Sequence, residues 1–496
     1  MWNLKSEWDQ WSVRPGRELL AGAVATFALI PEVIAFSFSA GVQPEVGLYA
    51  SFILSVVIAF LGGRPAMVTA AAGSVALVAA PLVASHGVLY LFAACILAGV
   101  MQIVCGLLRM DVFLRFISHP VRVGFLNALA ILIFCAQIPH VKHANLATWG
   151  MLLLGVALIY AIPHIPSKLS RVIPSPLLCV LVITIIYKIF NLPLETIADL
   201  GKLPEHFPQF IGFPAIPHTL ASVQIIFLPA IAIAFVGMLE SVMTATVVDN
   251  LTHSGSNKSR ECTALGIANI AAGLFGGIAG CGMIGQSVGN VRYGGKGRVS
   301  TLFAGVFLLI LLLSLRKWVL QVPVVSLVAV MVMVSISTFD WRSVKTLINH
   351  PISSTAVMLS TVVCTIFSHD LALGVAVGVV MSGMFFARKM KDAFVLHVAK
   401  HAHNITIDIR GHLFFASADA FLQSVRENTL SQTETIIIDV SRVRIWDETA
   451  AYAFEEMVIR CARYCTQIHV RGLQSQDRHL LQKVCPDALH KLQDKH

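Results

Sequence analysis

IAIAFVGMLESVMTATVVDN, residues 231–250, is an apolar stretch of helical length with one carboxylate, Glu240, in its middle. It runs through the polar turn 251–260 into a second apolar stretch, CTALGIANIAAGLFGG (262–277), and then into GIAGCGMIGQSVGN (277–290). The last is too rich in glycine for an ordinary membrane helix. A carboxylate at the centre of a bilayer costs roughly 2.5–3.5 kcal/mol on insertion scales, and it is kept where it faces a protein interior or a wet cavity. A glycine-broken apolar segment nearby is where backbone groups leave the helical ladder and face a ligand. Together these features predict a binding site inside a membrane protein.

The rest of the chain fits that frame. Of its 496 residues 56% are hydrophobic and only 13% are charged, against about 25% charged in a soluble domain. Charge is concentrated at the end, so the sequence divides into a membrane domain, 1–390, and a soluble domain, 391–496. The net charge of +9 does not point to nucleic acid. The basic residues sit in short loops, among them Arg64, Arg109, Arg115, Arg122, Lys168, Arg171, Lys258, Arg260, Arg298, Arg342, Arg388 and Lys391. These loops alternate with others that hold far fewer, such as those of Lys142, Lys188, Lys202, Arg316 and Lys317. By the positive-inside rule the expectation is a multi-pass cell-membrane protein with its N-terminus and C-terminal domain in the cytoplasm, and no cleaved leader. The ten cysteines form no CxxC and read as packing residues, with no metal site. His140, His143, His401 and His403 read as loop or linker residues, and Asp249 as a solvated or capping residue.

Fourteen apolar segments follow one another along the membrane domain, and they split as seven and seven. An odd number per half inverts one half against the other, the plan of many secondary transporters. The halves match in detail. The first segment carries Glu32 in LIPEVIAFS and is followed by the small-residue run TAAAGSVALV (69–78); the eighth carries Glu240 and is followed by GCGMIGQSV (280–288). Two half-helices with N-termini converging at the midplane would offer backbone N–H groups and positive dipole ends to an anion. Strands in ITIDIRGHLFF (405–415), TIIIDV (435–440) and QIHVRGL (467–473) alternate with helices from Glu448 and from Gln476, which predicts a small α/β sheet after the membrane domain.

At the level of motifs the chain resembles the SulP, or solute carrier 26, family of anion transporters. The resemblance lies in LIPEVIAFSFSAGVQPEVGLYASF (29–52), LGGRPAMVTAAAGSVALV (61–78), GQSVGNVRYGGKGRVSTLFAGV (285–306), RGHLFFASADAF (410–421) and IIIDVSRVRIWDETA (436–450). It implies a fourteen-segment, UraA-like inverted repeat with core and gate subdomains, a cytoplasmic STAS domain, a homodimer and no enzymatic activity. It also implies a site built from the first and eighth segments and the half-helices of the third and tenth. In this sequence that means Glu32, Phe36, Gly73, Ser74, Gly285, Gln286 and Ser287 for the anion. Glu240 and Thr244 fall where the family's sodium-coupled bicarbonate transporters hold sodium, so Na⁺ and H⁺ both stay open as the coupling ion. The turn 282–287 lacks the arginine of the animal exchangers, which favours cation–anion symport of sulfate, bicarbonate or a dicarboxylate. Plain exchange, a channel and a nucleobase permease remain alternatives, as does a membrane anchor for a STAS domain with a cytosolic partner. Phe36, Ser74, Gln286 and Ser287 also admit a purely structural reading, in packing or interhelical hydrogen bonds, and Thr449 reads more as a helix start than as a phosphorylation site.

Overall fold

A computed structural model describes residues 10–11, 15–110, 117–142, 145–164, 174–200, 203, 206–217, 219–346, 351–368, 370–390, 394–400, 404–425, 433–485 and 493–494. Arg115, Lys168, Arg171, Lys202, Lys391, His143, His401 and His403 lie outside the described residues. The chain forms two compact units, 1–379 and 380–496.

The first half of the membrane unit runs α1 (Pro15–Ser39), α2 (Pro44–Leu61), β1 (Thr69–Ala71), α3 (Gly73–His86), α4 (Val88–Leu107), α5 (His119–Val141), α6 (Leu146–Ala161) and α7 (Ser175–Phe190). The second half repeats the series: α8 (Leu220–Thr252), α9 (Lys258–Leu274), β2 (Gly280–Gly282), α10 (Ile284–Arg292), α11 (Arg298–Val319), α12 (Val324–Thr338), α13 (Ile352–Ser368) and α14 (Leu371–Met390). Eight of the described helices are long and apolar enough to cross a membrane. The third and tenth segments are not. At about 1.5 Å per residue, α3 with 14 residues and α10 with 9 reach only part of the way through a hydrocarbon layer of about 30 Å. Each is a half-helix preceded by a three-residue strand.

The packing repeats the inversion. α1 lies against α10 and α11 of the other half, and α8 against α3 and α4. α2 packs on α11 as α9 packs on α4. α5, α6, α7, α12 and α13 pack chiefly on one another. The α4–α9 contact is backbone on backbone. A Cβ on Gly99 would lie 2.5 Å from the Gly266 carbonyl oxygen, and one on Gly266 would lie 2.4 Å from that of Gly99. Small residues at such seams are how membrane helices associate when lipid is as apolar as leucine.

Two basic residues expected in solvated loops are instead buried. Arg64 pairs with Asp249 at 3.2 Å, and Asp249 also meets Lys258 at 3.5 Å and accepts from Ser256 Oγ at 2.8 Å. Asp249 is therefore an ion-pair centre and not a solvated residue. Arg298 donates to the carbonyls of Ala59 and Gly62 at 3.0 and 2.8 Å. Glu18 accepts from the N–H groups of Lys296, Gly297 and Ser300, which caps the start of α11. A loop charge count does not separate a hydrated arginine from one that ties two loops together.

The second unit is a five-stranded sheet in the order β3 (Phe394–Lys400), β4 (Asn404–Leu413), β5 (Thr433–Ile445), β6 (Cys465–Arg471) and β7 (Gln493–Asp494). β3 pairs antiparallel with β4, and the later pairs are parallel. α15 (Ala418–Ser424), α16 (Glu448–Ala462) and α17 (Ser475–Val484) carry the apolar residues Phe421, Phe454, Met457 and Leu481 onto the buried alternate positions Ile405, Ile407, Ile409, Ile436 and Ile438. Asp447 caps α16 by accepting from Ala450 N at 2.9 Å, and its other oxygen accepts from Phe415 N at 2.7 Å.

Gly280 leaves no room for a side chain. A Cβ there would stand 2.1 Å from the Ala70 carbonyl oxygen across the β1–β2 pair. Gly280→Ala is expected to cost roughly 1–3 kcal/mol or more through overpacking. The check is a lowered unfolding temperature and loss of a monodisperse peak in detergent, set beside Gly150→Ala, whose Cβ meets nothing within 4 Å.

Candidate functional site

The site is built on the two breaks. β1 and β2 pair antiparallel, with Thr69 opposite Gly282, Ala70 opposite Cys281 and Ala71 opposite Gly280. Each strand leads directly into its half-helix, so the N-termini of α3 and α10 meet across a ladder three residue pairs wide. The pair is fixed from outside. Ser51 Oγ accepts from Ala71 N at 3.1 Å, and Ser55 Oγ donates to Thr69 O at 2.8 Å. Asn269 Oδ1 accepts from Gly280 N at 2.9 Å, and its amide donates to Gln102 Oε1 at 2.8 Å. Ser241 Oγ accepts from Gly282 N at 2.9 Å. Every one of these side chains comes from a helix flanking the break: α2, α9, α4 or α8.

Neither half-helix has a side-chain cap. Ala72 and Met283 occupy the capping positions, and neither makes a side-chain bond to the first turn. The first intrahelical bonds run from Ala76 N to Ala72 O and from Ser287 N to Met283 O. The N–H groups of residues 73–75 and 284–286 are thus the ones a helix start leaves outside its own ladder, each set carrying about half a positive charge. Among the described residues, the side chains that meet these first turns, Phe36, Glu240 and Glu32, include no basic one.

The two carboxylates sit reciprocally. Glu240 of α8 accepts from Ser74 Oγ on α3 and from Cys281 Sγ at 3.0 Å. Glu32 of α1 meets the Gln286 side chain on α10. Each half thus sends its carboxylate to the first turn of the other half's broken helix, where Gly73–Ser74 corresponds in sequence to Gly285–Gln286. Phe36 lies against Gly73, where a Cβ would fall 2.6 Å from its ring. Gly285 is exposed, and a Cβ there would meet nothing within 4 Å, so the first turn of α10 faces open space.

Two of the expected residues point elsewhere. Ser287 Oγ accepts from Val68 N at 2.9 Å, and Thr244 Oγ1 donates to Gly282 O at 2.7 Å. Both side chains are fully buried and brace the β1–β2 pair. Cys281, expected as packing, is a hydrogen-bond partner of Glu240; a cysteine between two glycines in the broken segment was the available signal. Ser74 Oγ and Cys281 Sγ meet the same oxygen of Glu240, and the Thr244 hydroxyl is turned to the backbone.

A helical membrane bundle in two inverted halves, with paired half-helices at its centre, is a secondary-carrier architecture. The sequence pattern of the sulfate permease family matches residues 17–141 and 138–361, and that of the STAS domain matches residues 396–494. The chain is 41% identical over 480 residues to the putative sulfate transporter YbaR of Bacillus subtilis, covering 96% of this chain and 98% of that one. It is 23% identical over 518 residues to the bicarbonate transporter BicA of a Picosynechococcus strain, covering 94% and 90%. Among solved structures, the murine solute carrier 26 member A9 anion transporter in its inward-facing state matches with a TM-score of 0.83 at 18% identity, covering 98% and 90%. The transmembrane domain of a cyanobacterial BicA matches with a TM-score of 0.63 at 23% identity, covering 74% of this chain and 97% of that one. The chain belongs to the sulfate permease family, with a C-terminal STAS domain. It is a multi-pass membrane protein and an anion transporter, not an enzyme.

The two donors to Glu240 give a test of the geometry. A hydrogen bond to a charged group is worth about 1.5–3 kcal/mol, so Ser74→Ala with Cys281→Ala is expected to lower transport at least about tenfold. Cys281→Ser alone, which keeps a donor, is expected to retain it. Initial uptake rates in proteoliposomes at matched reconstitution check both.

Proposed function

We propose that the chain is a proton-coupled secondary transporter of a small oxyanion. The anion lies against the first-turn N–H groups of α3 and α10, with Phe36, Gly73, Gly285 and Gln286 around it and Glu32 at its edge. Glu240 is the proton carrier. The observation that carries this reading is the juxtaposition of two uncapped half-helix starts with a carboxylate held only by hydrogen donors. An ionised Glu240 repels the anion and a protonated one does not, so loading of proton and anion becomes cooperative. Sulfate is the first candidate substrate, since the relative at 41% identity is a putative sulfate transporter; bicarbonate and fumarate are the competitors.

In this reading α1–α4 and α8–α11 rock against α5–α7 and α12–α14, carrying the site from one side to the other. The asymmetry of basic loops supports a cytoplasmic N-terminus and STAS domain. The protein works as a homodimer, and the STAS domain offers a face to a cytosolic partner. Protease access in right-side-out against inverted vesicles tests the orientation, and the mass of the detergent-free particle tests the dimer.

The deciding experiment is uptake of labelled sulfate, bicarbonate and fumarate into proteoliposomes under imposed proton or sodium gradients. Expected is sulfate accumulation driven by a proton gradient, indifferent to sodium, with the gradient dependence abolished in Glu240→Gln. Uptake that follows sodium, or wild-type uptake that ignores both gradients and survives Glu240→Gln, overturns the reading in favour of sodium symport, exchange or a channel.

A further inference from the structure

The membrane unit holds a cavity of about 160 Å³. Its walls include Phe27 and Ile34 of α1, Leu181 of α7, Leu315 and Trp318 of α11 and Leu327 of α12. The one hydroxyl in the lining, that of Thr184, donates to the Val180 carbonyl at 2.7 Å. A cavity of this size with such a lining stays dry and takes hydrocarbon. Leu181, Leu315 and Trp318 are exposed, so it opens on the outer surface of the helical bundle, where a membrane protein meets acyl chains.

The rim carries a cation: Lys188 Nζ lies 4.7 Å from the centre of the Trp318 ring. An ammonium stacked on an indole keeps its N–H donors for a phosphate, and Trp–Lys pairs at helix ends mark the headgroup level. Asp199, in the turn that adds Ile197 to the wall, is engaged with the Thr196 N–H and hydroxyl at 2.8 Å each.

We propose that this groove binds one acyl chain of an anionic phospholipid, with the phosphate held by Lys188. The chain lies between α1 and α11 on one side and α7 and α12 on the other. Pro31, next to Glu32, is part of the same wall. A bound lipid therefore ties the helix that carries Glu32 to the bundle it packs against.

The test uses delipidated full-length protein in detergent, titrated with phosphatidylglycerol or with phosphatidylcholine of identical chains. Retained lipid is read by native mass spectrometry and stability by the unfolding temperature. Expected is preferential retention of phosphatidylglycerol, with an upward shift of several degrees by linkage. Thr184→Phe, which fills the cavity, is expected to abolish that retention. Lys188→Gln is expected to keep binding but erase the preference between the two lipids. Equal retention of both lipids by the wild type, or undiminished retention by Thr184→Phe, overturns the proposal. Should Thr184→Phe fail to fold, a phosphatidylglycerol with a photoreactive acyl chain decides on the wild-type protein. Labelling within residues 27–34 or 177–184 supports the site, and labelling confined to other segments overturns it.

Discussion

Backbone polar groups cannot be left unpaired at the depth of a bilayer core, and the membrane unit is organised around that constraint. Two helices are interrupted there, and each interruption frees donors and acceptors that the helical ladder would have used. The β1–β2 pair takes up part of them across the repeat axis, with three matched residue pairs. Ser51, Ser55, Ser241, Asn269 and Thr244 take up most of the rest. What is left over is the set of first-turn N–H groups of α3 and α10, and those face the site. In the proposed reading, these leftover N–H groups are the binding surface.

Close approach is the second requirement, and glycine supplies it. The strand pair closes only because Gly280 has no side chain to strike the Ala70 carbonyl. α4 and α9, which carry Gln102 and Asn269, reach the strands because Gly99 and Gly266 let their backbones touch. The loop after α2 passes α9 at Gly63, where a Cβ would lie 2.0 Å from the Asn257 carbonyl oxygen. The polar residues that brace the breaks and the glycines that admit them are one device. Carboxylates in such a frame are tolerated because each has a donor waiting: Ser74 and Cys281 for Glu240, Gln286 for Glu32.

Much of this was legible beforehand. Apolar runs of membrane length are a strong signal, and the described helices follow the fourteen segments with shifts of a few residues. The two breaks announced themselves by small residues and glycine beside a lone carboxylate, and Gly73, Ser74, Gly285 and Gln286 do lie with Glu32, Phe36 and Glu240. Ser287 and Thr244 could not be placed, because on a helix one residue's shift is about 100° of rotation. That is enough to turn a hydroxyl from the open space into the strand pair. Cys281 hid among ten scattered cysteines. Arg64 and Arg298 counted as loop charges although each is bound to a specific partner. The strand β3 went unread because FVLHVAK (394–400) gains its pairing from β4, a contact that no local pattern carries.

Hydropathy, the inverted repeat and the family motifs are properties of the chain taken in order, and by itself the sequence determined a carrier architecture, a STAS domain and two carboxylates worth watching. Which atoms those carboxylates meet was decided by the tertiary structure alone. Glu240 finds Ser74, 166 residues earlier, and Cys281, 41 residues later, because the two halves are threaded in opposite senses and crossed at the strand pair. Contacts of that kind arise from the packing of helices distant in sequence. Their geometry depends on backbone separations set by the glycine seams, and no reading along the chain contains those distances.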